Sequence, residues 1–398
     1  MTISLTQVIT NLQADINAVD SDTSMDQILK YMHRARSLTE INSVYDSAGV
    51  MPTDSAYDGM LAFSKSDNTM YKFVDSSGDG GTIFAWHQAD SNVASPGPST
   101  SHGQGSISGY LHGGTEPSGT PTVSNVIQKY SFTSDGNGTD VGDLNARTHQ
   151  HAGASSSTHG YAIGGWQPGA INNIQKFTMP TDANATDVGD LTTARGYLAG
   201  VYSTTHGYGV SGLSGPSTFN NRVDKFSFTS DGNATDVGDL TPAARYELRG
   251  CTSSDNGYAY GGRNPAYTFV DQIDKIPYAS DTDTTDIGRN LTAGKARFTT
   301  QNSSTHGYAS SGYTPSQINV IEKFPFAEDA DATDVGDLLA PQGSAGSGSS
   351  STTHGYQAGS GPSTYDVIQK FPFSVDENST DVGDLVTIQR YTADGVQV

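Results

Sequence analysis

Short apolar-and-polar phrases return along this chain at a fixed interval. One reads Ile127-Gln128-Lys129-Tyr130, Ile174-Gln175-Lys176-Phe177, Val223-Asp224-Lys225-Phe226, Ile273-Asp274-Lys275-Ile276, Ile321-Glu322-Lys323-Phe324 and Ile368-Gln369-Lys370-Phe371. It predicts a half-buried strand, with first and third positions facing one way and second and fourth the other. Another sets a tyrosine after a polar turn, as in Thr158-His159-Gly160-Tyr161, Thr205-His206-Gly207-Tyr208, Asp255-Asn256-Gly257-Tyr258, Thr305-His306-Gly307-Tyr308 and Thr353-His354-Gly355-Tyr356. A degenerate copy, Ile107-Ser108-Gly109-Tyr110, precedes them. The last is Asp-Val-Gly-Asp-Leu, led by Asp140, Asp187, Asp236, Asp334 and Asp381, with a variant copy Asp286-Ile287-Gly288-Arg289-Asn290. The six leading aspartates lie 47, 49, 50, 48 and 47 residues apart.

A period near 50 residues indicates propeller blades rather than helical solenoid units. Each unit reads as four strands. Strand A is a small-residue stretch such as 197–203, B carries the tyrosine, C the Ile-Gln-Lys-Phe phrase and D the Asp-Val-Gly-Asp-Leu phrase. Turns such as Ser230-Asp231-Gly232-Asn233 join C to D and suit hairpins. The fold class is therefore all-β: a six-bladed propeller of four-stranded blades over residues 106–398. The stretch after Leu385 aligns with that after Leu191, so Val396-Gln397-Val398 falls on a strand A. It is expected to complete the first blade, whose own strand A (100–104) is poor, and so leave no open ring end. A seven-bladed ring drawing on residues 60–98 is the rival count.

The pattern changes before residue 106. Leu5, Ile9, Leu12, Ile16 and Val19 are spaced 4-3-4-3, an a/d helical seam too short to stand alone in water. It is expected to dock or oligomerise the chain. A second helix is expected from Thr23 or Ser24, with Met25, Ile28, Leu29 and Met32 on one face. These helices make residues 1–56 an attachment segment. Tyr57 to Phe63 and Met70 to Phe73, around a polar turn, predict a small β-hairpin module over 57–86 that ends at Trp86. Residues 87–105, rich in Ser, Pro and Gly, read as a linker.

Two resemblances follow from these phrases. Gly113-Gly114, Gly164-Gly165 and Gly261-Gly262 end strand B, an aromatic strand follows, and Arg147, Arg195, Arg245, Arg297 and Arg390 come after strand D. This resembles the kelch repeat over about residues 100–398, except that Val-Gly-Asp-Leu stands where kelch carries tryptophan. The Asp58-Gly59-Met60-Leu61-Ala62-Phe63 … Met70-Tyr71-Lys72-Phe73 … Trp86 pattern resembles a small module of phage tail and fibre proteins. Together they resemble virion structural proteins of the tail-fibre type, as in marine phages and cyanophages. The resemblance implies a non-enzymatic virion protein that contacts other virion proteins through its N-terminus. It implies a homo-oligomer, a trimer as in many phage fibres, whose propeller binds a host-surface glycan or receptor. A carbohydrate-active propeller enzyme and a cellular kelch-type protein-binding scaffold are the competing expectations.

Charge narrows the partners. Lys plus Arg number 21 against 42 Asp plus Glu, a net charge of -21. Repulsion opposes binding nucleic acid or an anionic membrane through a basic face. Cys251 is the single cysteine, so no intrachain disulfide forms. No long apolar run or basic-then-apolar leader predicts membrane insertion or a signal peptide.

Candidate chemistry is thin. The C–D turns repeat oxygen donors at alternating positions: Asp135/Asn137, Asp182/Asn184, Asp231/Asn233, Asp281/Asp283, Asp329/Asp331 and Asp376/Asn378. Calcium takes such donors, but Asx-turns need the same residues, and turns are the preferred reading. No cofactor is expected. His159, His206, His306 and His354 are expected to bond turn backbone. The five arginines are expected to form a ring paired with Val-Gly-Asp carboxylates; an anion or glycan site at the channel mouth is the functional alternative. No residue is assigned a catalytic role.

Overall fold

A computed structural model describes residues 103–116, 122–179, 181–328, 330–360, 365–388, 391 and 395–398, and earlier in the chain the backbone of four strands. The chain divides into two units, 1–99 and 100–398.

In the first unit Val44–Tyr45, Leu61–Ser64, Thr69–Asp75 and Phe84–Gln88 form one sheet in that order. Leu61 pairs with Lys72 across the hairpin, and Phe73 pairs with Trp86. The last strand runs to Gln88, two residues into the expected linker. The expected helices, with Leu5, Ile9, Leu12, Ile16 and Val19, lie outside the described residues.

The second unit is a six-bladed β-propeller of four-stranded antiparallel sheets, with no helix among the described residues. Blade 2 orders Ala152–Ser155, His159–Trp166, Ala170–Thr178 and Thr186–Asp190 as strands A to D. Blades 3 to 6 repeat this over 199–239, 249–290, 299–342 and 347–384. Blade 1 takes its strand A from the far end: Val396–Gln397 pairs with Ser108–His112, then come Val126–Ser131 and Thr139–Asp143. The ring starts slightly before residue 106, because the Gly105 N–H bonds the Ser350 carbonyl of blade 6.

Strand C differs from the half-buried expectation. In blade 1, Ile127 and Gln128 are both 0 % exposed although they face opposite ways. Each blade is covered on both faces by its neighbours, so the polar second position is buried too. Those buried side chains cap the connection leaving the preceding blade. Gln175 accepts the Ala146 N–H at 2.7 Å, Asp224 the Thr192 N–H at 2.8 Å and Gln369 the Leu339 N–H at 3.0 Å. Gln128 does the same for Val386 at 2.8 Å, closing blade 6 onto blade 1.

The aromatic positions make the other inter-blade contact. The strand B tyrosine of each blade meets rings on or just after strand C of the next: Tyr110 with Phe177, Tyr161 with Phe226, Tyr208 with Tyr278, Tyr258 with Phe324 and Tyr308 with Phe371. Tyr356 of blade 6 meets Tyr130 and Phe132 of blade 1, so the series is circular. Such pairs add about 0.5–1.5 kcal/mol each beyond burial. The Val-Gly-Asp glycine is the close-approach point: a side chain at Gly189 would run into the Gly232 carbonyl of the next blade.

Between blades 1 and 2, His112 Nδ1 lies 2.9 Å from His151 Nε2, both rings fully buried. Burial pushes the His112 pKa down to about 3. Burial, then the His112 and Arg249 charges, lowers His151 as well. A histidine with a depressed folded pKa takes up its proton mainly in the unfolded chain. Its contribution is complete above the unfolded pKa of about 6.5 and is lost at about 1.4 kcal/mol per pH unit below it. Asp274, raised to about 6 by burial, works in the opposite direction over the same range. Comparison with His112→Gln cancels that contribution. Between pH 7 and pH 5 the parent should lose about 2 kcal/mol more than this variant in urea unfolding. Equal losses would place the proton uptake elsewhere.

Candidate functional site

The antiparallel order puts A–B and C–D turns at one pole of the ring and B–C loops and D–A connections at the other. The first pole is nearly the same in every blade. Its lysines bridge to the C–D turn of the next blade: Lys129 to Asp182, Lys176 to Asp231, Lys225 to Asp281, Lys323 to Asp376 and Lys370 to Asp135, at 2.5–3.0 Å. The second donor of each turn accepts a strand D N–H of the preceding blade. Asn137 takes Asp384, Asn184 takes Asp143, Asn233 takes Asp190, Asp283 takes Asp239, Asp331 takes Asn290 and Asn378 takes Asp337. The calcium candidates thus serve as ties between blades, save Asp329, which lies outside the described residues. Among the described residues no group of three or more His, Cys, Asp or Glu is placed to hold a metal ion.

The turn histidines sit at this same pole, but their rings bond hydroxyls rather than turn backbone. His159, His206, His306 and His354 each place Nδ1 2.8 Å from the preceding threonine Oγ1. Partial burial, then the adjacent strand C lysine, lowers their pKa values.

The expected arginine ring does not form. Arg195 is fully buried and pairs with Asp224 of strand C at 3.0 Å, and Arg245 pairs with Asp274 in the same way. Lys295 takes this place in the next blade, 2.5 Å from Glu322. Arg147 is exposed and donates to the Val123 carbonyl at 3.1 Å, while Arg297 sits two residues beyond the buried-cation position. Arg390 lies outside the described residues. The partners come from strand C because the D–A connection passes over that strand of the next blade.

The second pole varies from blade to blade and carries the candidate site. Around its axis runs a closed chain of backbone hydrogen bonds. Tyr197 N donates to Gln150 O, Glu247 to Tyr197, Arg297 to Glu247, Ala345 to Arg297, Tyr391 to Ser344, and Gln150 to Tyr391, at 2.6–3.2 Å. All six donors are non-glycine residues with φ between 48° and 60°. Left-handed backbone at non-glycine residues is uncommon and concentrates where function constrains the chain. Below this ring the narrow axial space is lined by Gly153, Gly200, Gly250, Thr300, Gly348 and Gly395.

An aromatic series crosses the mouth over blades 2 to 4. Trp166 meets Tyr197 at 5.7 Å between centroids, Tyr197 meets Tyr246 at 6.3 Å, and Tyr246 meets Phe219 and Tyr267 at 5.8 and 6.2 Å. Tyr267 is 54 % exposed, and Trp166, Tyr197 and Phe219 are partly so. Burial raises the Tyr197 and Tyr246 pKa values, and the nearby Glu247 charge adds to both. Both phenols stay neutral near pH 7, so the face offers π surface and neutral hydroxyls.

Sequence reasoning missed Tyr197, Tyr246, Glu247 and Arg263. Positions alike in the six repeats are the inter-blade ties, so the signal lay where the copies disagree, in B–C loops and D–A connections. No protein-family model matches the chain, and no curated protein matches it in sequence.

Proposed function

We propose that this chain is a phage virion structural protein of the tail-fibre type whose propeller binds a host-surface glycan at its variable mouth without cleaving it. The observation that carries the binding reading is the aromatic series in which Trp166, Tyr197, Phe219 and Tyr267 are partly or largely exposed around the buried Tyr246. Amphipathic rings held in fixed positions stack on sugar faces while their hydroxyls and indole N–H reach sugar hydroxyls. The net charge of -21 favours such short-range contacts over attraction to polyanions. The virion assignment rests on the N-terminal resemblance, and several copies on one particle would make weak individual sites effective through avidity.

The test is depletion of the full chain by immobilised polysaccharides from host-cell surfaces. Trp166→Ala combined with Tyr267→Ala should weaken capture at least about tenfold, a loss of about 1.4 kcal/mol, with the thermal midpoint kept. New reducing ends would replace the reading with the enzymatic alternative. Absence of the chain from purified virions by mass spectrometry would favour a cellular scaffold.

A further inference from the structure

We propose that the mouth contains an anion subsite, formed by Arg263 and Arg297, that takes the carboxylate of an acidic sugar residue. This rests on the reading of this face as a glycan-binding surface and names the class of glycan. At its centre is Glu247, whose side chain is 2 % exposed. Arg297 donates to its Oε1 through Nε at 2.7 Å and lies 2.6 Å away through Nη2. Arg263 Nε stands 3.2 Å from Oε2.

This stoichiometry differs from the other buried ion pairs of the ring. Arg195–Asp224, Arg245–Asp274 and Lys295–Glu322 are each one cation to one anion. Here two guanidiniums share one carboxylate, leaving a local charge of +1 in a chain of net charge -21. A structural pair needs only one cation. Two guanidiniums held close repel, and a second anion relieves that repulsion.

The guanidiniums are also fixed in place. Arg263 lies 4.4 Å from the Phe269 ring centre and 5.8 Å from that of Tyr313. Arg297 lies 6.0 Å from Tyr313 and 5.8 Å from Tyr391. Aromatic faces attract the cations and restrict where they lie. The two side chains remain 19 % and 30 % exposed. The Tyr246 side chain is within hydrogen-bond reach of the Arg263 guanidinium, whose partly exposed edge is the fork left for a ligand. A planar carboxylate fits that fork with two parallel hydrogen bonds.

The fork is also joined to the stacking surface. Tyr246 and Arg263 exchange backbone hydrogen bonds at 3.0 and 2.8 Å, and the Tyr246 ring belongs to the aromatic series. A uronic acid residue would stack its ring on the exposed Tyr267, which packs against Tyr246, and turn its carboxylate to Arg263 and Arg297. Glu247 is then a positioning residue that holds both guanidiniums.

The experiment measures binding of the full chain to polygalacturonate, to its fully methyl-esterified neutral form and to dextran sulfate. The free acid should bind at least about tenfold more tightly than the ester, the ordinary worth of a charge-assisted bidentate contact. Arg263→Gln should erase that preference while leaving ester binding in place. Arg263→Lys keeps the charge beside Glu247, which guards against a folding defect. It should hold the thermal midpoint yet lose most of the preference. Equal binding of acid and ester would overturn the subsite and leave the glycan reading standing. Dextran sulfate binding as tightly as the free acid would overturn carboxylate recognition. Failure to bind any of these polymers or host-surface polysaccharide would remove both.

Discussion

Deletion of residues 395–398 is expected to unfold the propeller or convert it to aggregates at ambient temperature. These residues supply strand A of blade 1. The Val398 carbonyl accepts N–H groups of Ser106, Ile107 and Ser108 at 2.7–3.0 Å, and its own N–H bonds Ser108. Gly395 donates to Gly348 at 2.7 Å, and the Gln397 N–H bonds Ser155 Oγ at 3.1 Å, which ties blade 1 to blades 6 and 2. Val396 is fully buried in a cluster with Tyr110, Ile127, Phe177 and Met179. Losing that burial costs about 1.5–3 kcal/mol, and each polar group stripped of its partner about 1–3 kcal/mol more. The total rivals the roughly 5–15 kcal/mol that stabilises an ordinary domain. The deletion also bares an unpaired edge of Ser108–His112, a template for intermolecular pairing. Circular dichroism melting and size-exclusion chromatography measure both effects. A midpoint within two or three degrees of the parent would mean the ring holds without its closing strand.

Asp224→Ala is expected to cost about 3–5 kcal/mol, because it leaves the Arg195 guanidinium buried without its counter-charge. The carboxylate also accepts the Thr192 N–H and hydroxyl at 2.8 and 2.7 Å, and both lose their acceptor. The chain itself holds the control. Blade 2 has Thr148 and Gln175 where blade 3 has Arg195 and Asp224, and Gln175 satisfies Ala146 with no ion pair. The double variant Arg195→Thr, Asp224→Gln should therefore recover most of the loss in denaturant unfolding. An Asp224→Ala variant as stable as the parent would mean that water reaches Arg195. Recovery failing only in the double variant would mean that blade 3 has packed around its ion pair.

The ties between blades were legible because six copies repeat them. Tyr161, Lys176 and Gly189 could be picked out by period alone, and each makes the same contact at its own junction. The alternation argument failed at Gln128, Gln175 and Asp224. A blade is enclosed on both faces, so polarity there marks a buried cap and not a wet side. The mouth was not legible for the opposite reason. Tyr197, Glu247 and Arg297 hold one role, a left-handed residue in the axial hydrogen-bond chain, with three unrelated side chains. A backbone role leaves side-chain identity free, so no phrase records it.

Local pattern alone determined the all-β class, the four strands per unit and the six units, because strand periodicity and turn chemistry are encoded over a few neighbouring residues. Tertiary structure decided which carboxylate meets which cation. Arg195 finds Asp224 29 residues away, and Lys370 finds Asp135 235 residues away. It also gathered Trp166, Tyr246 and Arg263 at one mouth. Partners brought together by ring closure carry no signature along the chain, since their proximity is a property of the axis they share.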